Sequence, residues 1–468
     1  MKKNLIMIAL LLLILQGQAQ APHLTGEVRI SIESGTIDAD LMLSNLPRTE
    51  NYSLVLNRGL NVQYFRDAGD SFNYGYRFEY DHNVNNVPFL YEGFQYHFPS
   101  TDGKGRFLPR AFRVKYTGKF PVVGDTLRAS DWGDWKGNIA FNGQSLRAAE
   151  QTAWYPLLFD HETGIKHLDY TYEVTISCAD CSAIYFNGSE PVQGQQATFH
   201  SDLPVPLMIF AGHFDFSFFD RVGFVNSGLR PEKQESLVNL ADRIIEFYEE
   251  KIGIPFGKSS LVFLNTTPLS KRNAWMFVTY PTIAVVGRPG YYSLRDCFDP
   301  ETFQISNNTF YATMAHEFGH YYIGNYFRPN STLLWFFGEG LTDYLSFLAV
   351  RKLVGEAFHQ EKIATYRKQV ADFEPIPLHK VTRAGEICEL YKYRYAPLML
   401  LAMEQEIGEE AMWAWIREVL ASDGQVTDYD FLLSSFAKAG IPKETIDYLV
   451  EQYIESDEAK QNVLRKLQ

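Results

Sequence analysis

Hydrophobic and polar residues alternate in short segments from about residue 20 to residue 203. Examples are Glu27–Glu33, Leu41–Ser44, Tyr52–Leu56 and Tyr172–Ile176. A period of two is typical of strands that bury one face, and turn residues such as Asn187-Gly188 between the segments favour antiparallel connections. This part of the chain is therefore predicted to form an antiparallel β-sandwich or saddle.

After this region the pattern changes to a mixture of helical and strand periods. Residues 231–250 carry apolar side chains at helical spacing after Pro231, and the glycines and proline of Gly253–Gly257 end that pattern. Ser260–Leu264 and Thr282–Val286 are apolar strand candidates, and the later segments are mostly helical. The pattern predicts an α+β protein with a helical lobe at its C-terminal end.

Composition limits the possible classes of protein. At 468 residues the chain is too long for one ordinary core, and length alone suggests about three domains. The apolar fraction of 46% and the charged fraction of 21% are those of a soluble globular protein. The formal net charge of −13 argues against nucleic acid or an anionic membrane surface as a partner.

Residues 1–19 are predicted to be a signal peptide. Lys2 and Lys3 precede an apolar core, Leu5–Leu15, that is too short to cross a bilayer. Small residues end this segment, so cleavage is expected after Ala19, and no cysteine follows the core to carry a lipid anchor. No later stretch is apolar for long enough to insert stably in a membrane. The mature protein is therefore expected to be exported, either periplasmic or extracellular.

The four cysteines fit an oxidising compartment. Cys178 and Cys181 are separated by two residues in a β-rich region, where they could form a local disulfide or half of a structural zinc site. No second C-x-x-C supports the zinc interpretation. A disulfide between Cys297 and Cys388 is also possible, but the sequence does not establish it.

The strongest chemical signal is His316-Glu317-Phe318-Gly319-His320, within an apolar and aromatic run from Thr309 to Tyr326 that is predicted to be a helix. His316 and His320 would lie one turn apart on the same face. Two imidazole nitrogens could then converge on one metal ion at the roughly 2.0–2.1 Å that zinc requires. Glu317 flanks the pair, where its carboxylate could reach a water on the metal without being a ligand.

A second predicted helix supplies further acids. Gly324, Asn325 and Pro329 end the first helix, and Gly338–Tyr344 begins the next helical pattern. Glu339 could return to the same site as a third ligand, and Asp343, one turn further on, could accept the free N–H of a ligand histidine. Two amphipathic helices with surface acids would explain the apolar faces but not this convergence.

The two histidines, the eighteen residues that follow and Glu339 resemble the zinc signature of the M1 aminopeptidases and related gluzincins. The stretch Gly338–Tyr344 is also similar to the M61 glycyl aminopeptidases. The resemblance implies that His316, His320 and Glu339 bind one zinc ion and that Glu317 is the general base.

Weaker phrases, Ala111–Gly118, Ala153–Pro156 and Tyr248–Phe256, resemble M1 enzymes in the expected order. The resemblance implies an N-terminal β domain at residues 20–205 and a thermolysin-like zinc peptidase catalytic domain at residues 206–468. Within the latter it implies a sheet subdomain at about 206–305 and a helical C-terminal lobe at about 306–468.

A tyrosine near the C-terminal part of the site is also implied. Tyr391–Leu400 aligns without gaps on the M1 phrase Y-E-K-G-A, which puts Tyr393 at the position of the residue that stabilises the oxyanion. Tyr391 and Tyr395 have the same chemistry, so a shifted register stays open. A packed aromatic helix without a catalytic role stays open as well.

One departure affects specificity. M1 aminopeptidases carry a G-x-M-E-N motif whose Glu binds the free amino terminus of the substrate, whereas this chain has Arg272–Phe277 there. No carboxylate lies between Lys251 and Arg295. A cationic amine needs an opposite charge in a partly desolvated site, so another carboxylate would have to supply it, or the substrate would lack a free amine there.

These observations predict a secreted, zinc-dependent, aminopeptidase-like metallopeptidase that acts on a peptide or protein substrate. Two imidazoles and one carboxylate would leave the zinc an open position for a water whose pKa falls toward about 7. Glu317 would take the proton of that water and pass it to the leaving amine. The alternatives are a gluzincin endopeptidase without free-amine recognition and a catalytically inactive M1-like binding protein.

Overall fold

The computed structural model describes residues 21–69, 71–73, 75–78, 93–100, 104–124, 137–257, 261–267, 275–286, 294 and 297–468. The predicted signal peptide, residues 1–19, lies outside the described residues. Strands dominate from His23 to Val286 and helices from Asn308 to Lys466, so the predicted α+β class is confirmed.

Three sheets are formed by strands that precede Phe216. The first has seven strands, in the spatial order Gln196–Pro206, Asp169–Cys178, His23–Ser31, Thr36–Ser44, Phe112–Lys119, Leu60–Asp67 and Phe72–Asn73. The second has five strands, in the order Lys166–His167, Leu157–Asp160, Tyr52–Asn57, Gly93–His97 and Tyr76–Phe78. The third also has five, in the order Val192–Gln193, Ala183–Phe186, Ile209–Gly212, Ser145–Ala148 and Ala140–Phe141.

Strand direction departs from the sequence prediction at one position. His23–Ser31 runs parallel to Asp169–Cys178, with Val28 opposite Ile176, although the other neighbours in these three sheets are antiparallel. Alternation along a strand indicates which face is buried but not the direction of a partner far away in the chain. In Thr36–Ser44 the apolar alternation does match burial, because every second side chain is in the core.

A fourth sheet connects the β region to the helices. Its strands, in spatial order, are Phe216–Phe219, Val222–Val225, Leu261–Asn265, Thr282–Val286 and Trp275–Thr279. Trp275–Thr279, called the edge strand below, is at the edge of this sheet among the described strands and pairs antiparallel with Thr282–Val286.

The fourth sheet packs against the third. Tyr185, Met208 and Phe210 of the third sheet region form one apolar cluster with Leu264 and Phe277 of the fourth. The strand Ile209–Gly212, just beyond the predicted domain boundary at residue 205, pairs with strands of the N-terminal part. The boundary itself stays a prediction.

The C-terminal part is built from helices. The α-helices are α1 Pro231–Ile252, α2 Asn308–Tyr322, α3 Thr342–Leu353, α4 Glu356–Gln369, α5 Ala396–Ile407, α6 Glu409–Leu420, α7 Tyr429–Lys438, α8 Lys443–Leu449 and α9 Ala459–Lys466. Within the described part of the chain, none of them combines the length and the apolar character that crossing a lipid bilayer requires.

In the described residues, three π-helical turns, with wider hydrogen-bonded rings than an α-helix, interrupt or extend these helices. They are Phe336–Leu341 before α3, Tyr391–Tyr395 before α5 and Val450–Ile454 after α8. The first two are called the Glu339 turn and the Tyr393 turn below. The sequence predicted helices at both positions but not their π character.

Helix α2 is shorter than its apolar run suggests. The side chain of Asn307 caps its first turn by accepting the Phe310 backbone N–H at 3.1 Å. The helix ends at Tyr322, because Gly324 adopts a left-handed φ of +123° that an α-helix cannot contain. The break that the sequence predicted at Gly324 is therefore confirmed, and the last residues of the apolar run, up to Tyr326, lie outside the helix.

The cysteine alternatives are resolved by geometry. Cys178 and Cys181 form a disulfide. Cys297 is buried and its thiol contacts the Leu294 carbonyl, whereas Cys388 is exposed, and the two are not bonded to each other.

Two glycines allow close approach around the Glu339 turn. A Cβ on Gly319, in the middle of α2, would lie 3.0 Å from Thr342 Cγ2 at the start of α3. A Cβ on Gly340 would lie 2.7 Å from the Cβ of Ala396, the first residue of α5. Both distances are shorter than ordinary carbon–carbon contact, so larger residues would separate these segments.

Replacing Gly340 with alanine tests this close approach. We expect Gly340→Ala to lower the free energy of unfolding by about 1–3 kcal/mol, because the added methyl cannot fit unless the Glu339 turn or the start of α5 moves. Urea denaturation measures this change. Gly338→Ala is the matched control, since a Cβ there would meet no described atom within 4 Å, and we expect it to be neutral or slightly stabilising. Equal stability of the two variants would contradict the proposed contact.

Candidate metal centre and active-site cleft

Three donor atoms from two neighbouring segments meet at one point. His316 and His320 lie one turn apart on α2, and their Nε2 atoms are 3.1 Å apart. Glu339, on the Glu339 turn, has its Oε2 atom 3.3 Å from each of these nitrogens. The three side chains that the sequence predicted as metal ligands are therefore brought together.

The spacing of these atoms fits a tetrahedral zinc ion. Bonds of ~2.0–2.1 Å imply that neighbouring ligand atoms lie roughly 3.3–3.4 Å apart. Within the described structure, Glu339 Oε2 is buried and has no hydrogen-bond partner. Because a buried carboxylate oxygen is costly without a compensating partner, this donor set fits a divalent cation.

The second nitrogen of each imidazole is directed by a further contact. His320 Nδ1 lies 3.0 Å from the Ile323 carbonyl oxygen, just past the end of α2. His316 Nδ1 lies 3.5 Å from Asp343 Oδ1, and that oxygen accepts from Ser346 Oγ and from Lys362 Nζ, both at 3.1 Å. Such contacts fix the ring orientation and leave each Nε2 facing the shared point.

The local charges favour a cation at this point. Burial alone would lower the pKa of His316, but Asp343 and Glu339 outweigh burial and raise it to about 10. Burial would raise the pKa of Glu339, yet the neighbouring His320 and His316 hold it well below its usual range. A positive charge between the imidazoles and Glu339 is therefore stabilised.

The partners of Asp343 are also buried. Burial lowers the pKa of Lys362 to about 8, although Asp343 opposes this shift. Burial acts to raise the pKa of Asp343, and Lys362 and His316 reverse that effect and lower it. Lys362 and Asp343 thus form an ion pair directly behind His316.

Glu317 lies beside the donor cluster at the junction of two cavities. Its side chain is buried, and it lines both a cavity of about 530 Å³ and one of about 640 Å³. Its negative charge also contributes to the raised pKa of His316. The cavities are called the first and the second cavity below, and both also border His316 and Tyr393.

Of the three tyrosines in the Tyr393 turn, only Tyr393 lines these cavities. Its ring centroid lies 6.0 Å from that of His316. Burial raises the pKa of Tyr393, and the Glu339 carboxylate raises it further. Tyr391 and Tyr395 are in the core, where their rings pack on each other with centroids 5.2 Å apart. Tyr393, the tyrosine that the sequence alignment proposed, is thus the one that borders the cleft.

The edge strand forms one wall of the cleft. Met276 lines both cavities, and Phe277 and Val278 line the first. The strand pairs with Thr282–Val286 on its other side. Its cleft-side backbone groups can therefore pair with an extended chain, as sheet edges do. Residues 271–274 of the region that replaces the G-x-M-E-N motif lie outside the described residues.

Sequence reasoning missed Glu150, a carboxylate that lines the first cavity. It is buried at 5% exposure in a short 3₁₀ turn, Glu150–Thr152, next to a strand of the third sheet. Its Oε2 accepts a hydrogen bond from Thr279 Oγ1 of the edge strand at 2.8 Å. No local motif marks this residue, because it is brought to the cleft only when the third sheet packs on the fourth.

Comparison with known proteins gives a clear result for the fold. No protein-family model and no curated protein matches the chain, whereas solved structures match at probability 1.00. Native yeast leukotriene A4 (LTA4) hydrolase matches with 14% identity and a TM-score of 0.64, over 93% of this chain and 67% of that one. The same yeast enzyme in complex with bestatin matches with 14% identity and a TM-score of 0.66, over 92% and 66%.

A structure of similar size also matches. A mutant M1 zinc metallopeptidase from Deinococcus radiodurans, bound to a Tyr-Ser-Ala substrate, has 14% identity and a TM-score of 0.63 over 92% of both chains. This chain thus spans about two thirds of the yeast enzyme and nearly all of the bacterial one. The expected M1-like architecture, a β-rich N-terminal part followed by a helical C-terminal part, is confirmed.

Proposed function

Starting from the fold of the M1 zinc metallopeptidases, we propose that this chain is an exported zinc-dependent peptidase that removes residues from the amino end of peptides. The observation that carries the proposal is the meeting of His316 Nε2, His320 Nε2 and Glu339 Oε2 within 3.3 Å of one another. Export is inferred only from the composition of residues 1–19.

The residues of the cleft have separate roles in this proposal. Zinc held by the three donors would supply a Lewis acid for the scissile carbonyl and would lower the pKa of a water. Glu317 takes a proton from the attacking water and delivers it to the nitrogen of the leaving group. Tyr393 Oη donates a hydrogen bond to the carbonyl oxygen as negative charge develops there. Asp343 acts by orienting His316.

The edge strand supports a peptide as the substrate. An extended peptide can pair with its backbone along the cleft, so that the scissile bond reaches Glu317 and its side chains alternate between the walls. The Tyr-Ser-Ala complex of the bacterial neighbour is consistent with this substrate class.

Glu150 supports amino-terminal specificity. It supplies a carboxylate to the first cavity, where the missing Glu of the G-x-M-E-N motif would otherwise leave an amine uncompensated. Its hydrogen bond from Thr279 fixes the carboxylate at the end of the edge strand. A peptide paired with that strand would then end with its ammonium group at Glu150. An endopeptidase is the second candidate, favoured by the absence of a carboxylate in the edge strand itself.

The proton-transfer role of Glu317 predicts a separation of catalysis from metal binding. We expect Glu317→Gln to keep zinc at one ion per chain while lowering kcat about 10²- to 10⁴-fold, the usual contribution of a general base. Glu339→Gln is the paired variant and should lose zinc, because it removes the charged ligand. Elemental analysis and a peptide-hydrolysis assay measure the two properties. Near-normal turnover by zinc-loaded Glu317→Gln would refute the role.

The proposed contact of Glu150 with the substrate amine predicts a dependence on that charge. We expect wild-type protein to cleave free-amine peptides and to leave their N-acetylated forms intact. Glu150→Gln, which keeps the size and the acceptor for Thr279, should lower kcat/KM for free-amine peptides about 10- to 100-fold.

Glu162→Gln is the control for this experiment, since Glu162 is an exposed acid of the same region outside both cavities. It should retain the wild-type preference. Equal cleavage of acetylated and free peptides by wild-type protein would instead support the endopeptidase.

A further inference from the structure

The second cavity is lined by His316 and Glu317, as the first is, but not by Glu150. Its volume is about 640 Å³, within the range of ligand pockets, which is ~300–1,000 Å³. Helix α4 forms its outer wall through Phe358, Glu361, Thr365, Tyr366 and Gln369. Glu150, the proposed partner of the substrate amine, does not line this cavity. The second cavity would therefore receive the part of a peptide that follows the scissile bond.

Two cationic side chains border this cavity, and they differ in how their charge is compensated. Lys362 forms an ion pair with Asp343 at 3.1 Å. Arg394 is held by Nη1, which donates to the Tyr393 carbonyl at 2.7 Å and to Tyr366 Oη at 3.2 Å. Its guanidinium also stacks over the Tyr366 ring, 4.5 Å from the centroid.

Arg394 forms no ion pair with a carboxylate among the described residues, although its charge helps to lower the pKa of the buried Asp343. Its Nε and Nη2 atoms likewise have no hydrogen-bond partner there, so one edge of the planar guanidinium is left for a ligand. Glu361, the exposed acid of the cavity wall, forms no ion pair with Arg394 in the described structure. A half-buried guanidinium anchored at one nitrogen is pre-organised to bind a carboxylate through its remaining donors.

We propose that Arg394 is a specificity-determining residue that binds a substrate carboxylate on the leaving-group side of the scissile bond. This inference rests on the proposed peptidase function. Arg394 follows Tyr393 directly in sequence, so the carboxylate that it binds belongs to a residue close to the scissile bond. With Glu150 binding the amine and Arg394 the carboxylate, the substrate carries a negative charge within one or two residues after the scissile bond.

The carboxylate has two possible sources with the same chemistry. It can be the free C-terminus of a short peptide, or the side chain of Asp or Glu just after the scissile bond. The two sources are distinguished by peptide binding to the zinc-loaded Glu317→Gln protein, in which hydrolysis is expected to be slow. Trialanine is compared with its C-terminal amide, and Ala-Glu-Ala amide is compared with Ala-Gln-Ala amide, by calorimetry.

We expect a carboxylate-containing peptide to bind about 10- to 100-fold more tightly than its neutral counterpart, as charge-assisted hydrogen bonds do. Adding Arg394→Gln should reduce this ratio to about one, and Arg394→Lys should restore part of it. Preference for trialanine identifies the C-terminus as the source, and preference for the Glu peptide identifies the side chain.

The control is Lys368→Gln, which removes one positive charge from an exposed position on α4, outside the cavity. It should keep the full ratio. Equal binding of charged and neutral peptides by the Glu317→Gln protein, or an unchanged ratio in Arg394→Gln, would overturn the inference. Hydrolysis of trialanine amide by wild-type protein tests the peptidase function separately, because that substrate has no carboxylate.

Discussion

The site depends on buried negative charge that is gathered around His316. Glu339 and Asp343 face His316 from adjacent turns, and Glu317 lies beside it on the same helix. Their carboxylates are buried, where uncompensated charges are strongly unfavourable. Two imidazole nitrogens and one carboxylate oxygen, each within 3.3 Å of the others, provide the donors for a cation.

The rest of the fold holds these side chains together. Gly319 lets α3 approach α2, and Gly340 lets the Glu339 turn approach α5. Glu339 and Tyr393 each lie in a π-helical turn. Turns of this type occur often at functional sites. The third sheet packs on the fourth and adds Glu150 to the cleft. Glu150 lines the first cavity and the Arg394 guanidinium lines the second, so the two cavities differ in the charge that they present.

The sequence predicted what local patterns encode. The H-E-x-x-H spacing and the helical period were enough to expect His316 and His320 on one face, and the position of Glu339 in the next helix was enough to expect a third donor. The order of β and helical regions followed from the change of hydrophobic period. Tyr393 needed the family resemblance, because three tyrosines at alternate positions carry no periodic signal that distinguishes them.

Long-range packing explains what was missed. The parallel pairing of His23–Ser31 with Asp169–Cys178 and the arrival of Glu150 at the cleft join segments that are far apart in the chain. The π character of the two turns depends on how neighbouring helices pack, which the hydrophobic period of the sequence does not indicate. The possible pairing of Cys297 with Cys388 failed for the same reason, since compatible chemistry does not imply proximity.

X-ray diffraction from crystals of the purified protein, recorded on both sides of the zinc absorption edge, tests the metal centre most directly. We predict one strong anomalous peak at ~2.0–2.1 Å from His316 Nε2, His320 Nε2 and a Glu339 oxygen. A peak on other residues, or no peak after dialysis against zinc, would contradict the assignment of these three side chains as ligands.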